Sequence, residues 1–430
     1  MSAASKLRRL DKNAEIHVYE KGNDVSYGAC GMPYFLGGVI ENADNLVVRT
    51  ADEFEKSNIH VFLNHEVITV DPDTKTITIL NKQSSDILFD NYDKLLIATG
   101  ASARRTFVTG SNNPNVHVLS NLDDARALGK LVKNAKSIAI IGGGYIGVEV
   151  ADNLCSLGLK VHIIESRTRL LDFYDYDFAK IAQVELEHMG VEIHLNENLQ
   201  SYGLLNDKTV VNTDNAEYKV DFVIEAIGVK PNTAFLKETG IEMLDNGAIV
   251  VNDCMETSII DIYAAGDCAA YYHKIKREMA FVPLGTHANK TGRIVAENIA
   301  GLESRFDGIV GSSILKVNEL ALAKTGLGID EAKRLNLDYD FVEIEAKNHA
   351  HYFPEAKNIF IRVIYEKGTG ILKGAELVGQ DGVSDRINIM ALAITKELTA
   401  SEFSQLDFAY TPPYNSVWDP LQVATNLIRI

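Results

Sequence analysis

The chain has 430 residues, 46% of them apolar and 23% charged, and carries a net charge of −17. That length is too great for one ordinary core and predicts two or three domains. The acidic balance argues against nucleic acid or an anionic membrane as the main partner, and no apolar run approaches the length that crosses a bilayer.

The N-terminus, MSAASKLRRLDK, lacks the apolar core of a signal peptide. Four cysteines, at 30, 155, 254 and 268, show neither CxxC nor framework spacing. Sparse, unpaired cysteine fits a reducing, cytoplasmic compartment. No metal is expected.

In chain order, Ser2 to Leu10 reads as a helix, with Leu7 and Leu10 on one side beside Ala3 and Ala4. IHVYE (16–20) follows as a strand ending in an acid. A helix and strand with no strand before them read as the second half of a nucleotide-binding βαβ unit whose first strand is missing. Short strands around 61–80 lead to KLLIATGASA (94–103), an apolar strand ending in Thr-Gly.

Residues 137–166, SIAIIGGGYIGVEVADNLCSLGLKVHIIES, form a complete unit of strand, glycine turn, helix, strand and acid. VDFVIEAIG (220–228) is a later strand. DIYAAGDCAA (261–270) is another, with a helix expected after it. FIRVIYEKGTGILKGAELVG (360–379) alternates like a hairpin with glycine at its turn. No low-complexity linker or short-period repeat interrupts the chain, and the two nucleotide-type units resemble each other.

The strongest motif is Gly142-x-Gly144-x-x-Gly147 between an apolar strand and a helix, trailed by VHIIE ending at Glu165. Gly142 permits a tight turn, Gly144 lets backbone approach a pyrophosphate, and Gly147 allows close helix–sheet packing. Phosphates then sit at a helix N-terminus, where free N–H groups favour anions. Glu165 stands where a ribose hydroxyl would lie and argues for NADH over NADPH, with Arg167 and Arg169 close by. Asp267, after Ala-Gly at a strand end, can hold a polyol hydroxyl. Cys30, in SYGACGMPYFLGG (26–38), is followed by Gly31 and Pro33, as a loop entering a helix would be. A thiol there is expected to have a lowered pKa. Cys155, Cys254 and Cys268 read as structural.

Taken together, these segments resemble the flavin-dependent pyridine nucleotide-disulfide oxidoreductases with a single redox cysteine, closest to the CoA disulfide reductases. The resemblance implies an α/β fold with two Rossmann-like nucleotide-binding domains and a C-terminal α+β dimerisation domain. It assigns a discontinuous FAD domain to 1–104 and 232–303, an NAD(P) domain to 105–231, and an interface domain to 304–430. Family members begin with a strand and a glycine-rich loop that grip the FAD pyrophosphate. Neither is found before Ser2, so weakened FAD binding is expected.

By the same resemblance, Glu20 binds the FAD ribose, Thr99, Gly100 and Asp267 contact FAD, and Glu149 and Tyr145 lie near the nicotinamide. Cys30 matches the redox cysteine. Position 35, where two-cysteine relatives carry the second thiol, is Phe. NHAHYFPEA (348–356) and DFAYTPPYNSVWDP (407–420) look like the CoA disulfide reductase versions of the interface domain, in which Tyr352 and Tyr410 approach the other subunit's redox cysteine. Ser2, Lys6 and Arg9, together with Ser26 and His287, match positions that contact CoA. Two departures stand out: Ala29 where Asn is common, and Trp418 where a basic residue is. The expected protein is a homodimeric NAD(P)H-dependent reductase of CoA disulfide or a similar small disulfide. The alternatives are a water-forming NADH oxidase or NADH peroxidase using a Cys30 sulfenic acid, and a flavin-deficient nucleotide-binding protein without catalysis.

Overall fold

The computed structural model describes residues 1–429. Ser2–Leu10 is the expected first helix, and it buries Ala3 and Ala4. Those small side chains, with Gly292 opposite, bring it close to the helix Gly285–Ile299. Strand His17–Glu20 pairs in parallel with His60–Leu63, and Leu95–Ile97 pairs in parallel with Ile262–Ala264. A three-stranded antiparallel meander, His65–Asp71, Thr76–Asn81 and Ile87–Asn91, adjoins them.

The two parallel pairs do not join into one sheet. Residues 16–21 and 94–99 both line one cavity of about 720 Å³, together with Ala3, Ala4 and Leu7.

Ala101–Ala103 and Val229–Pro231 pair antiparallel where the chain leaves this unit and returns to it. Between them lies a five-stranded parallel sheet in the order Glu192–Leu195, Lys160–Glu165, Ser137–Ile141, Phe222–Glu225, Val116–Val118. Its middle strands Ser137–Ile141 and Phe222–Glu225 are buried and mostly apolar on both faces, as a covered parallel sheet requires. Ile138 and Ile140 face helices Leu122–Val132, Tyr145–Ser156 and Tyr176–Met189. Ala139 and Ile141 alternate to the other face, against a meander of Leu199–Leu205, Lys208–Thr213 and Glu217–Val220.

The C-terminal part is a five-stranded antiparallel sheet, ordered Ser313–Val317, Leu320–Gly326, Leu372–Gly379, Asn358–Glu366, Tyr339–Lys347. Helices Val383–Thr395 and Pro420–Asn426 cover its core. Its joint with the parallel unit combines apolar packing of Leu315, Val317, Leu322 and Val378 on that unit's helices with buried ion pairs. Buried Arg362 contacts Asp175 at 3.0 Å and Glu376 at 3.4 Å, and Asp175 also accepts from the N–H of Ile329 at 2.8 Å. Removing one partner of such a buried pair costs about 3–5 kcal/mol, because the other charge is left uncompensated.

One expected element is wrong. Asp267 is followed by strand Ala269–His273, not a helix, and the next helix begins at Gly285. Two tyrosines and a pairing edge on either side, Ile249–Val250 and Glu278–Ala280, favour extended chain there. Among the described residues no helix is long and apolar enough to cross a membrane.

Candidate active site

The glycine turn does what its spacing requires. Gly142 has φ +103°, and a Cβ there would meet the Ala226 carbonyl oxygen at 2.6 Å. A Cβ on Gly147 would lie 2.1 Å from the Gly142 carbonyl oxygen, so the helix approaches the strand as only glycine allows. A Cβ on Gly144 would meet nothing within 4 Å, which leaves open space at the start of helix Tyr145–Ser156. No side chain caps that helix, so its first N–H groups are available to an anion.

Glu165 ends the neighbouring strand and accepts from Gly143 N–H at 2.7 Å and Arg167 N–H at 2.9 Å. Both nearby arginines are occupied: Arg167 pairs with Asp172 at 2.6 Å, and Arg169 with Asp330 at 3.0 Å. Tyr145 stacks on Phe173 with ring centroids 4.0 Å apart and donates to Ser313 Oγ. Burial, then the charge of Asp152, raises the Glu149 carboxyl to about 7.

Across the cleft, Thr99 donates from Oγ1 to the Asn232 carbonyl at 2.7 Å. The N–H of Asn232 donates to the Gly100 carbonyl at 2.9 Å, which holds Gly100 at φ +65°. A Cβ on Gly100 would also meet nothing within 4 Å. The Asp267 carboxylate has no hydrogen bond or ion pair among the described residues, and burial alone raises its pKa. A partly buried acceptor without a partner beside an open glycine turn fits a polyol or ribose ligand. Glu20 accepts from Gly22 N–H at 2.7 Å, and burial raises it too. The donors and acceptors at these positions are chemically compatible with a flavin dinucleotide.

Cys30 lies in the single turn Ala29–Gly31, which runs into helix Met32–Leu36, and it is exposed. The helix docks on the parallel unit. Phe35 fills the space above Gly129, where a Cβ would come within 2.8 Å of its ring, and Gly37 packs on Asn153. Position 35 is therefore a packing position. The expected lowering of the Cys30 pKa is not found. Desolvation of its cleft-facing sulfur, followed by the charges of Glu149 and Asp267, pushes the thiol up. Met32–Leu36 is only five residues long, a weak dipole against two carboxylates. Cys155 donates to the Met189 carbonyl, and buried Cys268 to that of Ile97, as structural thiols do.

The structure brings Tyr352 and Tyr410 together, with hydroxyls 3.0 Å apart and both side chains exposed. It does not assemble a free cationic face on the first helix. Ser2 donates to Asn289 at 2.5 Å, and Lys6 pairs with Glu297 at 2.8 Å, leaving Arg9 exposed. His287 is buried against Tyr271, with Nδ1 3.1 Å from the Val282 carbonyl oxygen. Ser26 is half-buried, and its carbonyl accepts from Val48 N–H at 2.8 Å. Phe173 and Asp172 are contributors that motif reading missed, because their roles depend on contacts the sequence does not display.

Comparison with known proteins agrees with this geometry. Residues 1–289 match the pyridine nucleotide-disulphide oxidoreductase family, and residues 313–421 match that family's dimerisation domain. The chain belongs to the pyridine nucleotide-disulphide oxidoreductases. It is 32% identical to a coenzyme A disulfide reductase of Staphylococcus haemolyticus over 418 residues, covering 96% of this chain and 93% of that protein. It is 33% identical to an NADH oxidase of Methanocaldococcus jannaschii, covering 99% and 95%. The crystal structure of reduced Bacillus anthracis CoADR-RHD superposes with a TM-score of 0.96 at 32% identity, covering 99% of this chain and 77% of that one.

Proposed function

We propose that this oxidoreductase is a cytoplasmic, homodimeric reductase of CoA disulfide or a similar small disulfide, with FAD bound across 1–104 and 232–303, NAD(P)H on 105–231, and the interface at 304–430. The observation that carries the reading is the lone exposed Cys30, with Phe35 packed where a resolving thiol would stand. One thiol cannot close an internal disulfide, so its thiolate attacks one sulfur of the substrate. A mixed disulfide forms on Cys30 and the other half leaves as a thiolate. When bound, FAD supplies acceptance of hydride from NAD(P)H and an electron pair for the mixed disulfide. Glu20, Thr99, Gly100 and Asp267 would hold it. Glu149, with its carboxyl near 7 and close enough to act on the Cys30 charge, can hold a proton beside the leaving thiolate. Arg9 is the exposed cation left for CoA phosphates, since Lys6 and Ser2 serve the helix pair; Ser26 and His287 remain expected contacts of the adenosine or pantetheine arm.

Substrate competition tests the reading. CoA disulfide should be turned over much faster than oxygen or peroxide, with bleaching of a yellow protein by anaerobic NADH. Fast reduction of oxygen to water without CoA disulfide activity would assign the oxidase chemistry instead. A colourless protein would support the non-catalytic alternative.

Tyr352 and Tyr410 form an exposed pair suited to reaching the second protomer's cleft. A thiol pushed up by carboxylates needs such donors, since a hydrogen bond to a thiolate is worth about 1–2 kcal/mol. Tyr410→Phe should therefore slow disulfide reduction at neutral pH about tenfold and move the rising limb of the pH profile to higher pH. An unshifted profile would confine the tyrosine to interface packing.

Glu165, with Arg167 and Arg169 both paired, supports NADH as the donor. A 2′-phosphate would meet a carboxylate and no free guanidinium, so kcat/KM should favour NADH by about tenfold or more. Steady-state kinetics with both donors decide this, and an NADPH preference would mean that one arginine leaves its acid.

A further inference from the structure

Strands Lys160–Glu165 and Glu192–Leu195 are parallel, and their register sets His162 opposite Glu192 and Ile164 opposite His194. Since alternate residues share a face, His162, Glu192 and His194 project together. They meet Tyr218 of the covering meander, whose ring centroid lies 4.5 Å from that of His194 and 5.2 Å from that of His162. His162 Nδ1 is 3.2 Å from His194 Nε2 and 3.2 Å from Glu192 Oε2. The three ligand atoms all lie within 4.8 Å of one another.

A proton cannot satisfy this arrangement cleanly. If His162 Nδ1 carries it, one N–H is shared between two acceptors. If it does not, the Nδ1 lone pair faces a carboxylate. His162 is buried, so water reaches this cluster only from the Glu192 side. Lys160 holds the other carboxylate oxygen, Glu192 Oε1, at 3.0 Å and leaves Oε2 turned to the imidazoles. Two ligands bound to a tetrahedral zinc ion at about 2.05 Å stand about 3.3 Å apart. Both measured separations match that edge.

We propose that His162, His194 and Glu192 form a site for a divalent first-row cation of the zinc type, with water in the fourth position. Two imidazoles and one carboxylate suit Zn²⁺ or Co²⁺ and disfavour Mg²⁺ and Ca²⁺, which need more oxygen ligands. The ion ties the edge strand Glu192–Leu195, which among the described residues pairs only with Lys160–Glu165, into the nucleotide-binding sheet, away from the glycine turn. Its role is structural. The sequence reading expected no metal, because the three ligands are assembled by strand register.

The test is titration of the Cys30→Ser protein with Co²⁺ alone, which removes the redox thiol as a competing ligand. One equivalent should bind, giving the comparatively intense visible d–d bands of tetrahedral Co²⁺ to the red of flavin absorption, and Zn²⁺ should displace it. Zn²⁺ should also raise the Tm by about 3 °C or more. His194→Ala, and the surface change Glu192→Gln that leaves packing intact, should each weaken binding at least about tenfold, no less than loss of a supporting residue costs a metal site. Absence of the bands at millimolar Co²⁺ overturns the site. So does binding that is unchanged in both variants.

Discussion

Cys30→Ser should abolish disulfide reduction while NADH still bleaches the flavin. The two half-reactions use different parts of the chain, which is why they separate. Hydride delivery depends on the turn at Gly142–Gly147 and the helix after it, and it needs no thiol at residue 30. Attack on sulfur depends on a polarisable thiolate, and a serine hydroxyl at this position stays protonated and unreactive toward disulfides. No other thiol can substitute. Cys268 is fully buried, Cys155 is turned to the Met189 carbonyl, and Cys254 lies in the loop beside Asn252. Stopped-flow bleaching should keep its wild-type rate as CoA disulfide turnover falls to background. Retained turnover in the variant would remove the covalent mechanism. Lost bleaching would mean that Cys30 also shapes the flavin site.

What the sequence revealed depends on how far apart the cooperating residues lie. Gly142, Gly144, Gly147 and Glu165 were legible because one βαβ unit contains both the motif and the constraint that demands it. The first helix was legible to the residue, but its purpose was not. Ser2 and Lys6 share a face, and only the fold shows that this face meets Asn289 and Glu297, nearly three hundred residues away. The acidity of Cys30 was misread for the same reason. Its loop suggested a helix terminus, whereas Glu149 and Asp267 arrive from two other segments to oppose the charge. The strand after Asp267 was missed because its pairing edges are set by tertiary neighbours. Tyr352 and Tyr410, 58 positions apart, were associated only through family resemblance, and their hydroxyl contact is a property of the folded C-terminal part.

Gly147→Ala should weaken NADH binding on the order of a hundredfold and lower the Tm, and a comparison with Gly144→Ala shows why. At Gly147 the new Cβ would sit 2.1 Å from a backbone oxygen that cannot swing aside, and 3.3 Å from Ile140 Cγ2. Helix Tyr145–Ser156 must then retreat from the strand by about 1 Å, and a shift of that size can cost about a hundredfold in a positioned site. The retreat also opens the packing around Ile138, Ile140, Val148 and Ala151, so stability falls with binding. At Gly144 the backbone has φ −79° and a Cβ meets nothing. Gly144→Ala should leave the Tm unchanged and raise only the KM for NADH, because its methyl enters the space that a pyrophosphate would use. Flavin bleaching at limiting NADH, beside a thermal melt of each variant, reads both effects. Reduction by dithionite should be normal in both, since it bypasses the turn. An unchanged KM in Gly147→Ala would show that this helix start is not the cofactor's cradle, whatever its sequence resembles.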